Sequence, residues 1–184
     1  MTQTERVPHL SVEDYLHGEQ FGEIRHEYSS GSVFAMAGAS DAHNRITGNI
    51  FATLWQAARG TPCRVYSSDM KARADLELFY YPDVMVTCDP EDTQSYFKQF
   101  PCLLVEVLSD STEHIDRGDK LYNYCRLASL KTYVLASQKT RRLEVYRRMA
   151  EGGWRYDVLE GESALELSCP PIMLTLEDAY QGVL

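Results

Sequence analysis

The sequence predicts a mixed α/β domain: a central mixed β-sheet flanked by helices, with β-hairpins toward the N- and C-terminal ends, formed by residues 1–184 as one unit. Three observations carry this. Residues 102–108 are an almost continuous apolar run holding one charge, Glu106, which suits a strand buried on both faces mid-sheet. Between 42 and 59, Ile46, Ile50, Leu54 and Ala57 recur at helical spacing. The order helix, strand, strand, strand, helix, strand indicates a mixed α/β sandwich, in a chain too short for two full cores.

The elements follow in order. Ser11-Val-Glu-Asp14 resembles a capped helix start, and Gly18 ends that helix. Residues 24–36 read as two strands turning at Ser30-Gly31. The long helix stops at Gly60-Thr-Pro62. Residues 64–74 and 80–87 read as two strands joined by a turn around Asp75-Leu-Glu77. After the buried 102–108 strand, Ser111 or Thr112 can cap a helix running to about Leu127. A strand over 132–136, a hairpin of 143–148 with 154–159, and a short helix near 176–180 complete the chain.

Composition narrows the function. Hydrophobic residues make up 44% and charged residues 24%, ordinary for a globular domain, and no apolar run reaches the ~20 residues of a membrane-spanning helix. Met1 to Leu10 is polar and does not read as a secretory signal, so the expected location is cytoplasmic, with no membrane partner. The five cysteines are scattered without C-x-x-C spacing, which argues against a zinc site and, with the odd count, against a disulfide framework; Cys102 and Cys125 read as small core residues. The formal charge of −9 and pI near 5.0 oppose binding dominated by phosphate neutralisation, so DNA as a partner requires a local basic patch. Lys131, Lys139, Arg141, Arg142, Arg147 and Arg148 are the crowded basic stretch that could form one.

Glu106 is the anomaly that points to chemistry. Its neighbours all favour burial, and an unpaired buried carboxylate is expensive. Asp83, between Pro82 and the apolar Val84-Met85-Val86, is a similar case. On neighbouring strands the two acids would form a hard-oxygen site suited to Mg²⁺ or Mn²⁺, which can activate water and stabilise the leaving oxygen of a phosphodiester. The same residues equally permit two strand-end acids, each paired with a nearby Arg or Lys. A phosphate-binding Walker loop, a G-x-G-x-x-G motif, a G-x-S-x-G elbow and an H-E-x-x-H pair are all missing from the sequence.

The segments Tyr81-Pro-Asp-Val-Met-Val86, Val105-Glu-Val-Leu-Ser-Asp-Ser-Thr112 and Asp116-Arg-Gly-Asp-Lys-Leu-Tyr122 resemble the Uma-type restriction endonuclease family. So do Ser11-Val-Glu-Asp-Tyr-Leu16, Arg25-His-Glu27, Met36-Ala-Gly38, His43-Asn44, Ser68-Asp-Met-Lys71, Arg147-Arg148 and Gly152-Gly-Trp154, which together span nearly the whole chain in order. The resemblance implies a restriction-endonuclease-like PD-(D/E)XK core and a metal-dependent endonuclease acting on DNA. It implies that Asp83 and Glu106 hold the metal and that Glu27 is the upstream acid of the site. A homodimer is a further expectation, because cutting both strands of a duplex takes two sites.

The sequence departs from the family pattern at the lysine, since Leu108 stands two residues after Glu106 where the motif has Lys. Lys120 is the candidate for a displaced catalytic lysine and Lys71 the second; Asp116 and Lys120 could instead be a solvent-side i,i+4 pair. Asp110 stands where similar sequences carry Pro and is expected to cap the following helix, the alternative being an additional acid crowding the metal. His43 reads as structural, the alternative being a base or phosphate contact, and Tyr122 and Tyr124 read as the packed face of a helix. Competing readings are a non-catalytic binding or regulatory module on the same fold and a metal-dependent hydrolase of a non-DNA substrate.

Overall fold

The structure is a computed structural model and describes residues 9–184; most of the polar segment Met1 to Leu10, read above as no secretory signal, lies outside the described residues. Helix α1 (Val12–Gly18) begins where the Ser11 hydroxyl accepts the Asp14 N–H at 3.1 Å. Strands β1 (His26–Ser29) and β2 (Ser32–Ala35) form the expected N-terminal hairpin around Ser30-Gly31, both at positive φ. Helix α2 (Asp41–Ala58) is capped by Ser40, whose hydroxyl accepts the His43 N–H. His43 therefore stands in the first turn of that helix.

The expected strands 64–74 and 80–87 each divide in two. The first becomes β3 (Arg64–Ser67) and β4 (Lys71–Asp75), the second β5 (Leu78–Tyr80) and β6 (Val84–Thr87). Ser68 breaks the first at φ 33°, a conformation that L-residues rarely adopt. Pro82 interrupts the second, because it has no N–H for a ladder. At both breaks the chain crosses between sheets, and the Ser68 N–H donates to the Asp83 carbonyl at 3.1 Å, tying the two crossings together.

The short β7 (Phe97–Lys98) precedes the buried strand β8 (Pro101–Leu108), all eight residues of which are buried. Helix α3 (Glu113–Ile115), a π-helical turn over Asp116–Lys120 and α4 (Leu121–Cys125) run as one helical path to β9 (Thr132–Ser137). The Thr112 side chain makes no cap hydrogen bond to this path. A hairpin of β10 (Arg142–Arg148) and β11 (Trp154–Glu160) follows, then a second one, β12 (Ala164–Ser168) with β13 (Pro171–Thr175), and α5 (Leu176–Tyr180). The sequence reading contains neither β7 nor the second hairpin.

The central sheet is mixed, ordered β11-β10-β9-β8-β6-β3, with β8 parallel to β9 and the other pairs antiparallel. A parallel pair requires a crossover, and the helical path over 113–125 supplies it. A second sheet is ordered β2-β1-β5-β4-β7. Side chains alternate across β8. Leu103, Val105 and Val107 pack with Ile46, Ile50 and Leu54 of α2 and with α5. Leu104 and Leu108 pack with Ala72, Leu78 and Tyr80 of the second sheet and with Tyr124. Glu106 falls on this second face, between the sheets and under the crossover. Among the described residues, no helix is long and apolar enough to cross a membrane.

Candidate active site

Four segments bring the sequence-derived residues together. Asp83 immediately precedes β6, and continuing the β6–β8 register past Val84↔Val105 sets it opposite Glu106. Its Oδ2 accepts the Val107 N–H at 2.7 Å and lies 3.2 Å from His43 Nε2. Glu27 comes from β1, and its Oε1 accepts the Tyr81 N–H at 3.3 Å. Lys120 descends from the π-helical turn. Its Nζ is 3.1 Å from Glu106 Oε1, 3.1 Å from Glu27 Oε1 and 3.3 Å from Asp116 Oδ1. The lysine thus stands in the middle of three carboxylates, with Asp83 beside them.

This site is deeply buried. Side-chain exposure is 4% for Glu106, 8% for Lys120 and 2% for Asp116. The expectation of a solvent-side Asp116–Lys120 pair is therefore corrected: the crossover turns both residues into the interior. The Tyr124 hydroxyl donates to Glu106 Oε1 at 3.1 Å, so this residue has a packed ring, as read, and a polar tip in the site, whereas Tyr122, read the same way, is corrected: its ring is exposed. Asp116 Oδ1 faces Lys120 outside hydrogen-bond geometry and is buried without a hydrogen-bond partner.

Charge is distributed unevenly here. Burial, together with the neighbouring acids Asp116, Asp83 and Glu27, outweighs the attraction of Lys120 and holds the Glu106 carboxyl well above its usual range. Burial also opposes the Lys120 charge, but Glu106, Glu27 and Asp116 override it and raise the ammonium well above its ordinary value. The two ends of the pair differ because one cation serves three acids. For His43, burial lowers and Asp83 raises the imidazole, with a net rise. Sequence reasoning treated His43 as structural and gave Asp116 and Tyr124 no part in the site. The helix-start position of His43 was legible, whereas its approach to Asp83 depends on the fold.

Lys71 belongs to a neighbouring network. Its Nζ donates to the Tyr81 hydroxyl at 3.0 Å, which donates to Glu19 Oε2 at 2.8 Å, while Glu19 Oε1 lies 2.9 Å from His26 Nδ1. Burial opposes the Glu19 charge, but the bonds from Tyr81, the His26 ring and the His26 N–H outweigh it, so the carboxyl sits below its usual range. A depressed acid stabilises the fold above its unfolded value and loses that contribution as pH falls through the folded one. Glu19→Gln is accordingly expected to be less stable than wild type at pH 7 and to close the gap below about pH 4.3, the ordinary Glu value. Urea midpoints at pH 7 and pH 3 check this; an unchanged difference would refute it.

Asp110 is corrected as a helix cap: it is exposed and pairs with Lys139 at 2.5 Å. The basic stretch is largely paired as well. Arg141 meets Glu177, Arg142 meets Glu160 and Glu144, Arg147 meets Asp157, and Arg148 donates to the carbonyls of Leu130, Cys125 and Leu127. The expectation against a disulfide framework is corrected, because four of the five cysteines converge as two disulfides, Cys63 with Cys88 and Cys102 with Cys169. Among the described residues, Cys63, Cys88 and Cys169 are the one group of three or more Cys, His, Asp or Glu whose ligating atoms all lie within 4.8 Å of one another. Cys125 stands apart, half-buried, with its thiol pushed up to about 11 by burial.

The mixed α+β core, with β8 parallel to β9 through a helical crossover, is a nuclease-like fold, and comparison with solved structures agrees. A crystal structure of a putative nuclease belonging to DUF820 from Anabaena variabilis superposes with a TM-score of 0.71 at 12% identity, covering 89% of this chain and 93% of that one. The chain belongs to the Uma2 family, described as "Putative restriction endonuclease", whose model matches residues 12–177. Relatives from Synechocystis sp. are the uncharacterized protein slr1290, 34% identical over 96% of this chain and 94% of its own, and the uncharacterized protein sll1609, 31% identical over 84% and 90%.

Proposed function

We propose that the protein is a metal-dependent endonuclease that hydrolyses DNA phosphodiester bonds, with Asp83 and Glu106 holding Mg²⁺ or Mn²⁺ and Lys120 assisting. The observation that carries this reading is the placement of Asp83 opposite Glu106 beside a buried lysine. The donors are carboxylates, the chemistry of a hard-cation site: Glu27, Glu106 and Asp116 surround Lys120 and Asp83 stands beside His43, although no three of their ligating atoms lie within 4.8 Å of one another. The Val107 N–H and His43 both meet Asp83 Oδ2, so Oδ1 would be the atom available to a metal.

When bound, the metal supplies an activated water and a counter-charge for the phosphate. The protein's own groups do the rest. Lys120 stays protonated at ordinary pH, so it acts as a cation toward the phosphate oxygens and not as a base. Glu27 fixes its ammonium, Tyr124 fixes Glu106, and the Val107 N–H with His43 fixes Asp83. Cutting both strands of a duplex would take two copies of the site, which is the basis for a homodimer.

The second reading is a non-catalytic nuclease-fold module or a hydrolase of a non-DNA substrate. The net charge of −9 and the pairing of the basic stretch with Glu177, Glu160, Asp157 and Asp110 favour it. Incubation of plasmid and single-stranded DNA with Mg²⁺ or Mn²⁺ separates the two. Wild type is expected to cut only with metal, and Asp83→Ala to cut at least about a hundredfold more slowly, since a metal ligand is worth several kcal/mol at the transition state. A folded wild type that leaves DNA intact would sink the endonuclease reading.

A further inference from the structure

Cys63 lies just before β3 and Cys88 just after β6, and continuing the Arg64↔Thr87 register sets them opposite one another. Cys102 is near the start of β8, and Cys169 lies in the turn joining β12 to β13. Four separate segments thus deliver four sulfurs to one place. Cys102 and Cys169 are buried, and Cys63 and Cys88 are half-buried against the same core. Disulfides join Cys63 to Cys88 and Cys102 to Cys169. Cys88 Sγ is also 3.3 Å from Cys169 Sγ and 3.6 Å from Cys102 Sγ.

We infer that these four cysteines, once reduced, form a structural zinc site of the tetrathiolate kind. The two disulfides pack against each other, and the sulfurs of Cys63, Cys88 and Cys169 lie within 4.8 Å of one another, a group able to share a metal. A Zn–S bond of about 2.3 Å sets ligand sulfurs about 3.8 Å apart, close to the spacing of Cys88 from Cys169 and Cys102, so one tetrahedral ion can take all four thiolates. Thiolate sulfurs suit zinc and do not suit Mg²⁺. A thiol reductant supplies two electrons and two protons to open each disulfide, and filling the site then takes four protons off the four thiols and releases them to solvent. The cluster lies at the opposite end of β6 and β8 from Asp83 and Glu106, roughly 15 Å away at the rise of a strand. Its role is mechanical: it pins the β12–β13 turn to the ends of β3, β6 and β8.

The test uses the full chain without a metal-binding tag, expressed with zinc present and purified in reducing buffer. Elemental analysis is expected to give about one zinc per chain, the stoichiometry of a closed four-ligand site. Cobalt added to the stripped protein should produce the intense visible bands of a tetrahedral thiolate complex. Cys88→Ser is expected to lose zinc at least about tenfold, while Cys125→Ser and the Asp83→Ala/Glu106→Ala double variant keep it, which separates this site from the acid site. Should Cys88→Ser fail to fold, the cobalt spectrum of wild type decides alone. Zinc far below one per chain, two disulfides by mass in reducing buffer, or zinc undiminished in folded Cys88→Ser would each overturn the inference.

Discussion

Lys120→Met should lower the free energy of unfolding by about 3–5 kcal/mol, the usual cost of removing one partner from a buried ion pair. Methionine fills much of the same volume, so the loss reports charge and not a cavity. What remains is Glu27, Glu106 and Asp116 facing one another with no cation among them. The Glu106 and Asp116 carboxyls, already raised, would rise further and take up protons to relieve the repulsion. The deficit should therefore be largest near neutral pH and shrink as pH falls, because acid protonates the orphaned carboxyls in the variant. Urea denaturation at pH 7 and pH 5 measures both features. A loss under about 1 kcal/mol at pH 7 would mean the lysine is screened like a surface residue.

Glu106→Gln should behave in the opposite way, keeping the fold and losing the chemistry. Burial already disfavours the charged carboxylate, and Lys120 retains Glu27 and Asp116 as partners. The glutamine carbonyl can still accept from Tyr124 and Lys120. Stability within about 1 kcal/mol of wild type, or slightly above it, follows from replacing an unfavourable buried charge by a neutral isostere. On the proposed function, metal-dependent cutting should fall by about a hundredfold or more, since an amide is a poor ligand for a hard divalent cation. The pairing of unchanged stability with lost activity is the signature to look for. A loss of several kcal/mol would make Glu106 a structural ion-pair partner; retained cutting would remove it from the site.

These two variants also show why the site was only partly legible in advance. Glu106 was conspicuous because a lone acid in an apolar run is anomalous wherever it folds. Lys120 was a choice between two lysines and a surface pair. Its burial depends on the π-helical turn and on how the 113–125 crossover lies over β8, and no local pattern encodes either. Lys71 is placed elsewhere for the same reason: at the start of β4 its side chain donates to Tyr81, which donates to Glu19, one network away.

The sequence by itself determined the element types and most of their positions. Helical spacing in α2, the apolar run of β8 and the turn residues after β1 each express a local period or a local backbone preference. It also determined which acids were worth suspecting. Tertiary structure alone decided the break of two long strands into four, because Ser68 and Pro82 act only where a second sheet is present to receive the chain. It decided the meeting of Glu27 with Lys120, the descent of Asp116 into the core, and the pairing of Cys63 with Cys88 and of Cys102 with Cys169, side by side, from positions up to 106 residues apart along the chain. Long-range proximity is set by how sheets stack and which strands pair, and a one-dimensional spacing carries no trace of it.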